Sequence, residues 1–346
     1  MWRLTVLSPQ LLALGCTADK GDADAAATDA DADTDADTDA ETEPGTYFPG
    51  AAPWYTDVRS AAVDVSSPSV IGWLDGAGWG NGRFQIDFSL EVLTGATDTP
   101  FMEFQTTGDF YSPDCDHVPM PVPDGGRLEG ESGYACTHDG DCHLLVAHWP
   151  TQRLYEMWRA NLSGSTFRGG CLAVWDMATV YPPEGRGDQC TSADAAGYPI
   201  TPLLPTADEV AAGEVAHALR FILPNTTIRE GVFVHPASHS TGSASGPASA
   251  PPYGAQLRLR ADYPLDTLPN EAARVIARAL QTYGMFLADG GTVALTFQAD
   301  TDSTAKWAAL LASHDLEGIQ PADFELLAMP DPIALTYDCT RTPLTE

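Results

Sequence analysis

The chain of 346 residues is poor in positive charge. It contains 17 Lys and Arg against 48 Asp and Glu, so its formal net charge is −31. Lysine occurs only at Lys20 and Lys306. Nucleic acids and anionic lipid surfaces are bound by proteins with a basic face. The composition therefore argues against both surfaces as partners, and we expect no nucleic-acid function.

Motifs for metals and nucleotides are also scarce. The sequence has no Cys-x-x-Cys pair, which argues against a structural zinc site, and no glycine-rich phosphate loop. Two short fragments, Asp139-Gly-Asp141 and Asp300-Thr-Asp302, resemble parts of calcium loops but fit solvated turns equally well. We therefore predict no metal or cofactor and keep calcium as an alternative.

Long hydrophobic runs are absent, but the N-terminus has the pattern of an export signal. Residues 1–15 contain Arg3 and a short apolar run, far below the roughly 20 residues of a membrane-spanning helix. Cys16 follows a small residue, as in the lipobox of bacterial lipoproteins. We predict a signal peptide over residues 1–15 and a lipid anchor on Cys16. A plain cleaved signal with an incidental cysteine is the alternative.

A strongly acidic tract follows Cys16. Residues 17–43 hold 11 Asp or Glu, and the only cation among them is Lys20. Like charges repel one another, and the intervening Ala and Thr offer little apolar surface to bury. We therefore predict a disordered acidic linker over residues 16–46 and a single domain over residues 47–346. The protein would be exported and anchored at the outer membrane or cell surface, or else soluble in the periplasm or outside the cell.

The remaining cysteines support export. Without Cys16, six are left, an even number that indicates three disulfides in an exported chain. They are Cys115, Cys136, Cys142, Cys171, Cys190 and Cys339. Six cysteines allow 15 pairings, and the sequence does not choose among them.

Short alternating apolar segments separated by Gly, Pro and Asp dominate the predicted domain, as in a mainly β fold. The expected strands lie at 83–93, 143–147, 154–158, 172–177, 215–223, 232–235, 256–260 and 292–297. Helices are expected after the capping box at 206–209, from about Asn270 to Leu287, and over 304–313. We predict a β-sandwich, jelly-roll-like, with two or three flanking helices.

Two acids are predicted on apolar strand faces. Glu156 alternates with Leu154 and Trp158, and Asp176 shares a face with Leu172 and Val174. A carboxyl group buried among apolar side chains has a raised pKa, which suits a general acid. Glycoside hydrolysis needs two carboxyl groups about 5 to 10 Å apart. Glu156 and Asp176 are therefore the predicted catalytic pair, with an ion pair to an arginine or a solvated sheet face as the alternative.

Histidines and tryptophans provide further candidates. His217 lies on an apolar strand face, and His235 and His239 bracket the start of the long loop 238–252. Long loops on β scaffolds often carry a site. We expect His217 and His239 to act in the catalytic site by positioning a substrate and His235 to help bind it, with hydrogen-bonded structural histidines as the alternative. Trp158 and Trp175 offer flat faces on which sugar rings can stack, although core packing would also account for them.

Several phrases resemble those of a family of secreted bacterial proteins with no assigned activity. They lie at 154–156, 173–176, 191–200, 209–213, 217–221, 235–239, 252–259 and 283–290. The resemblance covers roughly residues 80–345 and implies export. It draws attention to the polar members of these phrases, namely Glu156, Asp176, Asp194, His217, Arg220 and His239.

These observations favour a surface-anchored protein that hydrolyses a polysaccharide with paired carboxylates. In this hypothesis Asp194 and Arg220 bind the substrate, together with the tryptophans. Two alternatives remain open: a non-catalytic surface module that binds a glycan or a protein, and a structural envelope protein. They differ in one geometric respect, because only an enzyme requires Glu156, Asp176, His217 and His239 to converge on one cavity.

Overall fold

The computed structural model describes residues 46–137 and 140–345. The predicted signal peptide, the lipid anchor on Cys16 and most of the predicted linker lie outside these residues. The described residues fall within one compact unit, Ala40–Glu346. None of their helices has the length and apolar character needed to cross a membrane.

The described residues form a mainly β fold, as the sequence predicts. The strands are β1 (Ile86–Leu90), β2 (Val92–Gly95), β3 (Phe101–Met102), β4 (Gln105–Thr106), β5 (Met120–Pro121), β6 (Leu144–His148), β7 (Arg153–Trp158), β8 (Asn161–Ser163), β9 (Thr166–Gly169), β10 (Cys171–Asp176), β11 (Leu219–Leu223), β12 (Val232–Phe233), β13 (Gln256–Leu259), β14 (Met285–Gly290), β15 (Leu295–Gln298), β16 (Phe324–Leu326) and β17 (Ile333–Ala334). The α-helices are α1 (Ser67–Ala77), α2 (Ala207–Ala212), α3 (Glu271–Thr282) and α4 (Trp307–Leu310).

Two sheets form the framework. The larger has six strands in the order β1-β15-β11-β14-β13-β16, and the smaller has four in the order β10-β7-β6-β2. Both are mixed: β11 runs parallel to β14, β1 to β15 and β2 to β6, whereas β7 is antiparallel to both of its neighbours. The other described strands pair in small sheets of two or three.

Helix α3 covers the larger sheet and shows how local sequence sets an element's limits. The side chain of Asn270 caps the helix by accepting a hydrogen bond from the amide of Ala273 at 2.8 Å. Ile276 and Leu280 are fully buried. The predicted helix continued to Leu287, but this is wrong, because Gly284 has a φ of 70° and breaks it. The chain then enters β14 between β11 and β13.

Three disulfides join the six cysteines of the domain, as expected. They are Cys115–Cys171, Cys136–Cys142 and Cys190–Cys339. Such a set is typical of proteins that fold outside the cytoplasm. The third bridge spans 149 residues and fastens the C-terminal segment to the middle of the chain.

Further contacts hold the C-terminal segment. Asp116 is fully buried and accepts hydrogen bonds from Arg186 and Arg341, each at 2.7 Å. The amide of Leu344 also donates to Asp116 at 2.8 Å, and Leu344 in turn accepts from the amide of His117. Residues 339–344 are therefore an integral part of the fold.

Candidate functional site

A cavity of about 790 Å³ opens among loops of the domain. Its walls come from the segments 110–114, 191–195 and 239–243 and from the last residues of β7 and β14. The segment 239–243 belongs to the long loop that the sequence analysis marks as a site-bearing loop. Tyr337, from the C-terminal segment, completes one side.

Asp194 and Asp289 form a pair of acids on the cavity wall. Arg220, on β11, lies between them: its Nη2 atom is 2.7 Å from Oδ1 of Asp194 and 3.1 Å from Oδ2 of Asp289. The Nη1 atom of Arg220 donates to Thr296 at 2.9 Å. Arg220 is almost completely buried, so its guanidinium interacts with this pair of acids and has little contact with solvent.

Asp194 is fully buried and shares the guanidinium of Arg220 with Asp289, whose side chain is 26% exposed, and burial favours the protonated form of an acid. Burial raises the pKa of Asp194 to about 8; Arg220 opposes this shift and Asp289 adds to it. The Oδ2 atom of Asp194 has no hydrogen-bond partner. Two ionised carboxylates can only accept hydrogen bonds, whereas a protonated Asp194 has an O–H group that can donate one. At neutral pH Asp194 therefore holds a proton.

His239 is a second titratable group on the wall. Its Nδ1 atom lies 2.9 Å from the carbonyl oxygen of Ala195. Because a carbonyl only accepts hydrogen bonds, Nδ1 carries the proton in the neutral ring and Nε2 has the free lone pair. Burial lowers the pKa of His239. The imidazole is thus neutral at pH 7 and able to accept a proton at Nε2.

Two hydroxyl groups on the wall lack partners among the described residues, those of Tyr253 and Thr241. Burial and the charge of Asp289 raise the pKa of Tyr253, while nearby Thr241 opposes the shift. Tyr253 is fully buried, and buried polar groups are normally hydrogen-bonded. The two hydroxyls lie close to each other, so the cavity wall is polar at this point.

Aromatic side chains line the outer part of the cavity. Tyr111 is 53% exposed and Tyr337 is 60% exposed. Trp158 donates its indole N–H to Asp141, and the guanidinium of Arg159 lies 5.3 Å from its ring centre. These contacts fix the orientation of the indole. The cavity thus combines flat apolar faces outside with titratable groups inside.

Four of the predicted site residues belong to this cavity. Asp194, His239 and Trp158 line it, and Arg220 holds Asp194 from behind. Their convergence is a property of the fold, because they come from a loop, a second loop, β7 and β11. Residues that are far apart in the sequence thereby come together in one cavity.

Glu156 lies elsewhere and is completely buried. Its carboxylate accepts hydrogen bonds from the amides of Ile200 and Thr201, from the Thr201 hydroxyl and from the indole of Trp175. Burial raises its pKa, and the donors on Thr201 and Ile200 oppose this shift. Trp175 is also buried, with the guanidinium of Arg186 5.4 Å from its ring centre. Glu156 and Trp175 thus join β7 and β10 to the segment 200–201 and do not line the cavity.

The structure does not bring Glu156 and Asp176 together. In the antiparallel ladder Glu156 pairs with Ala173, and Asp176 pairs with Arg153. The two acids are three positions apart, an odd number, so their side chains point to opposite faces of the sheet. Asp176 is partly exposed and forms an ion pair with Arg153, the alternative that the sequence analysis had kept open.

The two other histidines also lie outside the cavity lining. His217 is buried, with Nδ1 2.8 Å from the carbonyl oxygen of Ala218 and Nε2 3.4 Å from Glu209. Glu209 is the acid of the predicted capping box at the start of α2, which forms as expected. His235 pairs with Asp188 at 2.8 Å. His217 thus supports α2, and His235 belongs to the surface near the long loop.

Sequence reasoning missed Asp289, Tyr253 and Asp114, all of which line the cavity. Asp289 and Tyr253 fall within phrases of the resemblance but were not singled out as candidates. The helix predicted to Leu287 would end just before Asp289, whereas Asp289 is near the end of β14. A polar residue at the end of a buried strand was the available signal.

One group within the described residues has ligand atoms close enough together to hold a metal ion: Glu131, Cys136 and Cys142. The two sulfur atoms form a disulfide, so they are not thiolate ligands. Asp300, from one calcium-like fragment, accepts a hydrogen bond from the amide of Trp307 at the start of α4. In the other fragment, Asp141 accepts from Trp158, and Asp139 lies outside the described residues.

Comparison with known proteins gave no match. No protein family matches the chain, and no curated protein or solved structure is significantly similar to it. The chemistry of the cavity must therefore be argued from its own residues.

Proposed function

We propose that the cavity hydrolyses glycosidic bonds of a polysaccharide. One observation carries the proposal: an acid with a raised pKa, Asp194, and a base with a lowered pKa, His239, line the same cavity. Acids and bases whose environments move their pKa values apart are the usual sign of an acid–base pair in catalysis. Between the two pKa values both groups are in the protonation state that hydrolysis requires.

The two groups have complementary roles in this mechanism. The Asp194–Asp289 pair donates its proton to the leaving glycosidic oxygen as the bond from that oxygen to the anomeric carbon breaks. Nε2 of His239 takes a proton from the water that attacks the anomeric carbon. Proton exchange with solvent then restores the neutral imidazole and the protonated acid. Arg220 stabilises the carboxylate that remains after the proton has left.

The rest of the cavity suits a carbohydrate. Sugars present hydroxyl groups at the edge of the ring and C–H groups on its faces. Tyr253 and Thr241 offer unpartnered hydroxyls, and Trp158, Tyr111 and Tyr337 offer aromatic faces. We also propose, as parts of the same hypothesis, export by the signal at 1–15, a lipid anchor on Cys16 and sandwich-like packing of the two main sheets.

Product release from polysaccharides tests the proposal. The purified full chain is incubated with a panel of bacterial and plant polysaccharides, and released oligosaccharides are detected by mass spectrometry. We expect Asp194→Asn and His239→Gln to abolish release, and the control His235→Gln to retain it. The rate should rise with pH as His239 loses its proton below about 6.5 and fall near pH 8 as Asp194 ionises.

Two results would contradict this assignment: full activity of Asp194→Asn, or a rate that does not change between pH 5 and 9. Either would show that the acid and base reside elsewhere. Equal loss in His235→Gln would indicate that damage to the long loop, and not chemistry at His239, explains the effect.

A non-catalytic glycan-binding module is the second candidate. It is favoured by the position of Asp194, which is completely buried. Such a side chain can hold the cavity in shape without touching a substrate. This candidate predicts retention of the protein on an immobilised glycan with no released product, and it predicts that Trp158→Ala weakens retention more than Asp194→Asn.

A further inference from the structure

The cavity wall carries one sign of charge. Within the described residues, four carboxyl groups line it and no lysine or arginine does; the acids are Asp114, Asp141, Asp194 and Asp289. The buried guanidinium of Arg220 is engaged by two of these acids and by Thr296. Arg159, beside Trp158, is paired with Asp109 at 2.8 Å. Arg186 and Arg341 donate to the backbone carbonyl of Asp114 and share the carboxylate of Asp116. The side chains that line the cavity are therefore acidic, and the cations that partly offset their charge lie behind the wall.

Two of the acids have an oxygen atom to offer to a ligand. Asp114 accepts the amide N–H of Thr191 on Oδ2, and Asp141 accepts the indole N–H of Trp158 on Oδ1. The second oxygen of each carboxylate accepts no hydrogen bond from the described residues. Asp114 is also close enough to His239 to raise its pKa against the effect of burial. An open carboxylate oxygen thus lies near the base.

A separate observation shows that this is a polar site and not only an acidic surface. The hydroxyl of Tyr253, which is fully buried, lines the cavity without a hydrogen-bond partner among the described residues. The same holds for Oδ2 of Asp194. Groups of this kind require a polar ligand or water to satisfy them.

We infer that the substrate is a glycan of amino sugars with free ammonium groups, bound with an ammonium at Asp114 or Asp141. The inference rests on the proposed function, whose substrate class it specifies. An ammonium group donates three hydrogen bonds and accepts none, which matches open carboxylate oxygens. Its positive charge is attracted by these acidic side chains, whereas a uronic acid would be repelled.

Binding of three matched tetrasaccharides to the full chain tests the inference. The probes are tetraglucosamine, its N-acetylated form and cellotetraose, which differ only at carbon 2, and isothermal titration calorimetry measures their affinity at pH 6. We expect tetraglucosamine to bind at least about fivefold more tightly than cellotetraose, a modest preference of the size that partly exposed charge pairs give. The preference should shrink in about 0.5 M salt, because ions screen exposed charges.

Substitution of the two acids with open carboxylate oxygens tests where the ammonium group of the ligand binds. Asp141→Asn and Asp114→Asn should each reduce the preference about two- to threefold. The preference is the ratio of the affinities for tetraglucosamine and cellotetraose within each variant, so a general loss of binding does not change it. Asp302→Asn, at an exposed acid away from the cavity lining, is the matched control and should keep the full preference. Asp141 is exposed, so its variant tests the idea even if Asp114→Asn disturbs the contact to Thr191.

The outcomes separate this inference from the proposed hydrolysis. Equal affinity for tetraglucosamine and cellotetraose would overturn the inference, while cleavage of either would uphold the hydrolase. Selective binding of tetraglucosamine without products would uphold the inference and overturn the hydrolase. Absence of binding to all three probes would overturn the inference, and so would an unchanged preference in both cavity variants.

Discussion

Replacement of Glu156 by glutamine should destabilise the protein without removing its chemistry. The carboxylate is completely buried and serves both oxygens as acceptors: Oε1 for the amide and hydroxyl of Thr201, each at 2.8 Å, and Oε2 for the indole of Trp175 at 3.2 Å. The amide of Ile200 donates to both oxygens, at 2.9 and 3.0 Å. Glutamine retains only one acceptor oxygen.

The cost can be estimated from these contacts. In its better orientation glutamine keeps its oxygen toward Thr201 and turns its amide N–H toward the indole N–H of Trp175. The indole N–H of Trp175 then lacks an acceptor, and so does the amide NH2 of the glutamine, because every contact of Glu156 is a donor. Each unsatisfied buried donor costs about 1–3 kcal/mol. For a domain of this size each kcal/mol lowers the melting temperature by roughly 2–4 °C. Glu156→Gln should therefore melt several degrees below the wild type.

Thermal unfolding followed by circular dichroism measures the effect. Asp176→Asn is the matched control, since it also neutralises an acid in the same sheet, but one that is partly exposed and paired with Arg153. An exposed ion pair contributes about 0–1 kcal/mol, so this variant should melt close to the wild type. A melting temperature for Glu156→Gln equal to the wild type would refute the reasoning. So would an equal loss in both variants.

Two further predictions concern stability. Cys339→Ser opens the disulfide to Cys190, which closes a loop of 149 residues, and should lower the free energy of unfolding in urea by about 5 kcal/mol. Cys142→Ser opens a loop of 6 residues and should lower it by about 2 kcal/mol. Equal losses in the two variants would contradict the dependence on loop length. Burial lowers the pKa of His143, but Glu129 raises it more strongly, to about 9. The contribution of this pair to the free energy of unfolding is therefore complete below about pH 6.5 and is lost as the pH rises to about 9, a change of roughly 3 kcal/mol. His143→Asn should abolish this pH dependence, which is measured by urea unfolding at about pH 6 and pH 9.5.

Strands were predictable where alternation and burial agree. The segments expected at 143–147, 154–158 and 172–177 are β6, β7 and β10, with ends that differ by one residue or less. The capping box was predictable for the same reason, because Thr206 and Glu209 satisfy each other locally. In each of these cases a short stretch of chain contains all the information.

Elements whose limits depend on distant contacts were harder to predict. The segment after Thr282 has a helical pattern of apolar residues, but Met285–Gly290 pairs with β11 and β13 in the larger sheet. The expected helix at 304–313 is reduced to α4 and stops at Leu310. Ser67–Ala77, which forms α1, was not predicted, although Pro68 in its first turn is a starting signal.

The candidate site was predictable in part. Asp194, His239 and Arg220 were marked as polar residues in familiar phrases, but their roles depend on partners that only the fold supplies. Asp194 has a raised pKa because the fold buries it and also brings Asp289 to it from β14. Alternation correctly placed Glu156 on a buried face. It could not show that backbone amides of the segment 200–201 satisfy that acid.

The attachment of the C-terminal segment has a consequence for how the protein is made. Tyr337 lines the cavity, and its neighbour Cys339 is tied to Cys190, while Arg341 and Leu344 are bound to buried Asp116. The cavity wall is therefore incomplete until residues 337–344 have been synthesised and the cysteines oxidised. A chain that crosses a membrane from its N-terminus would complete this cavity only in the compartment where disulfides form.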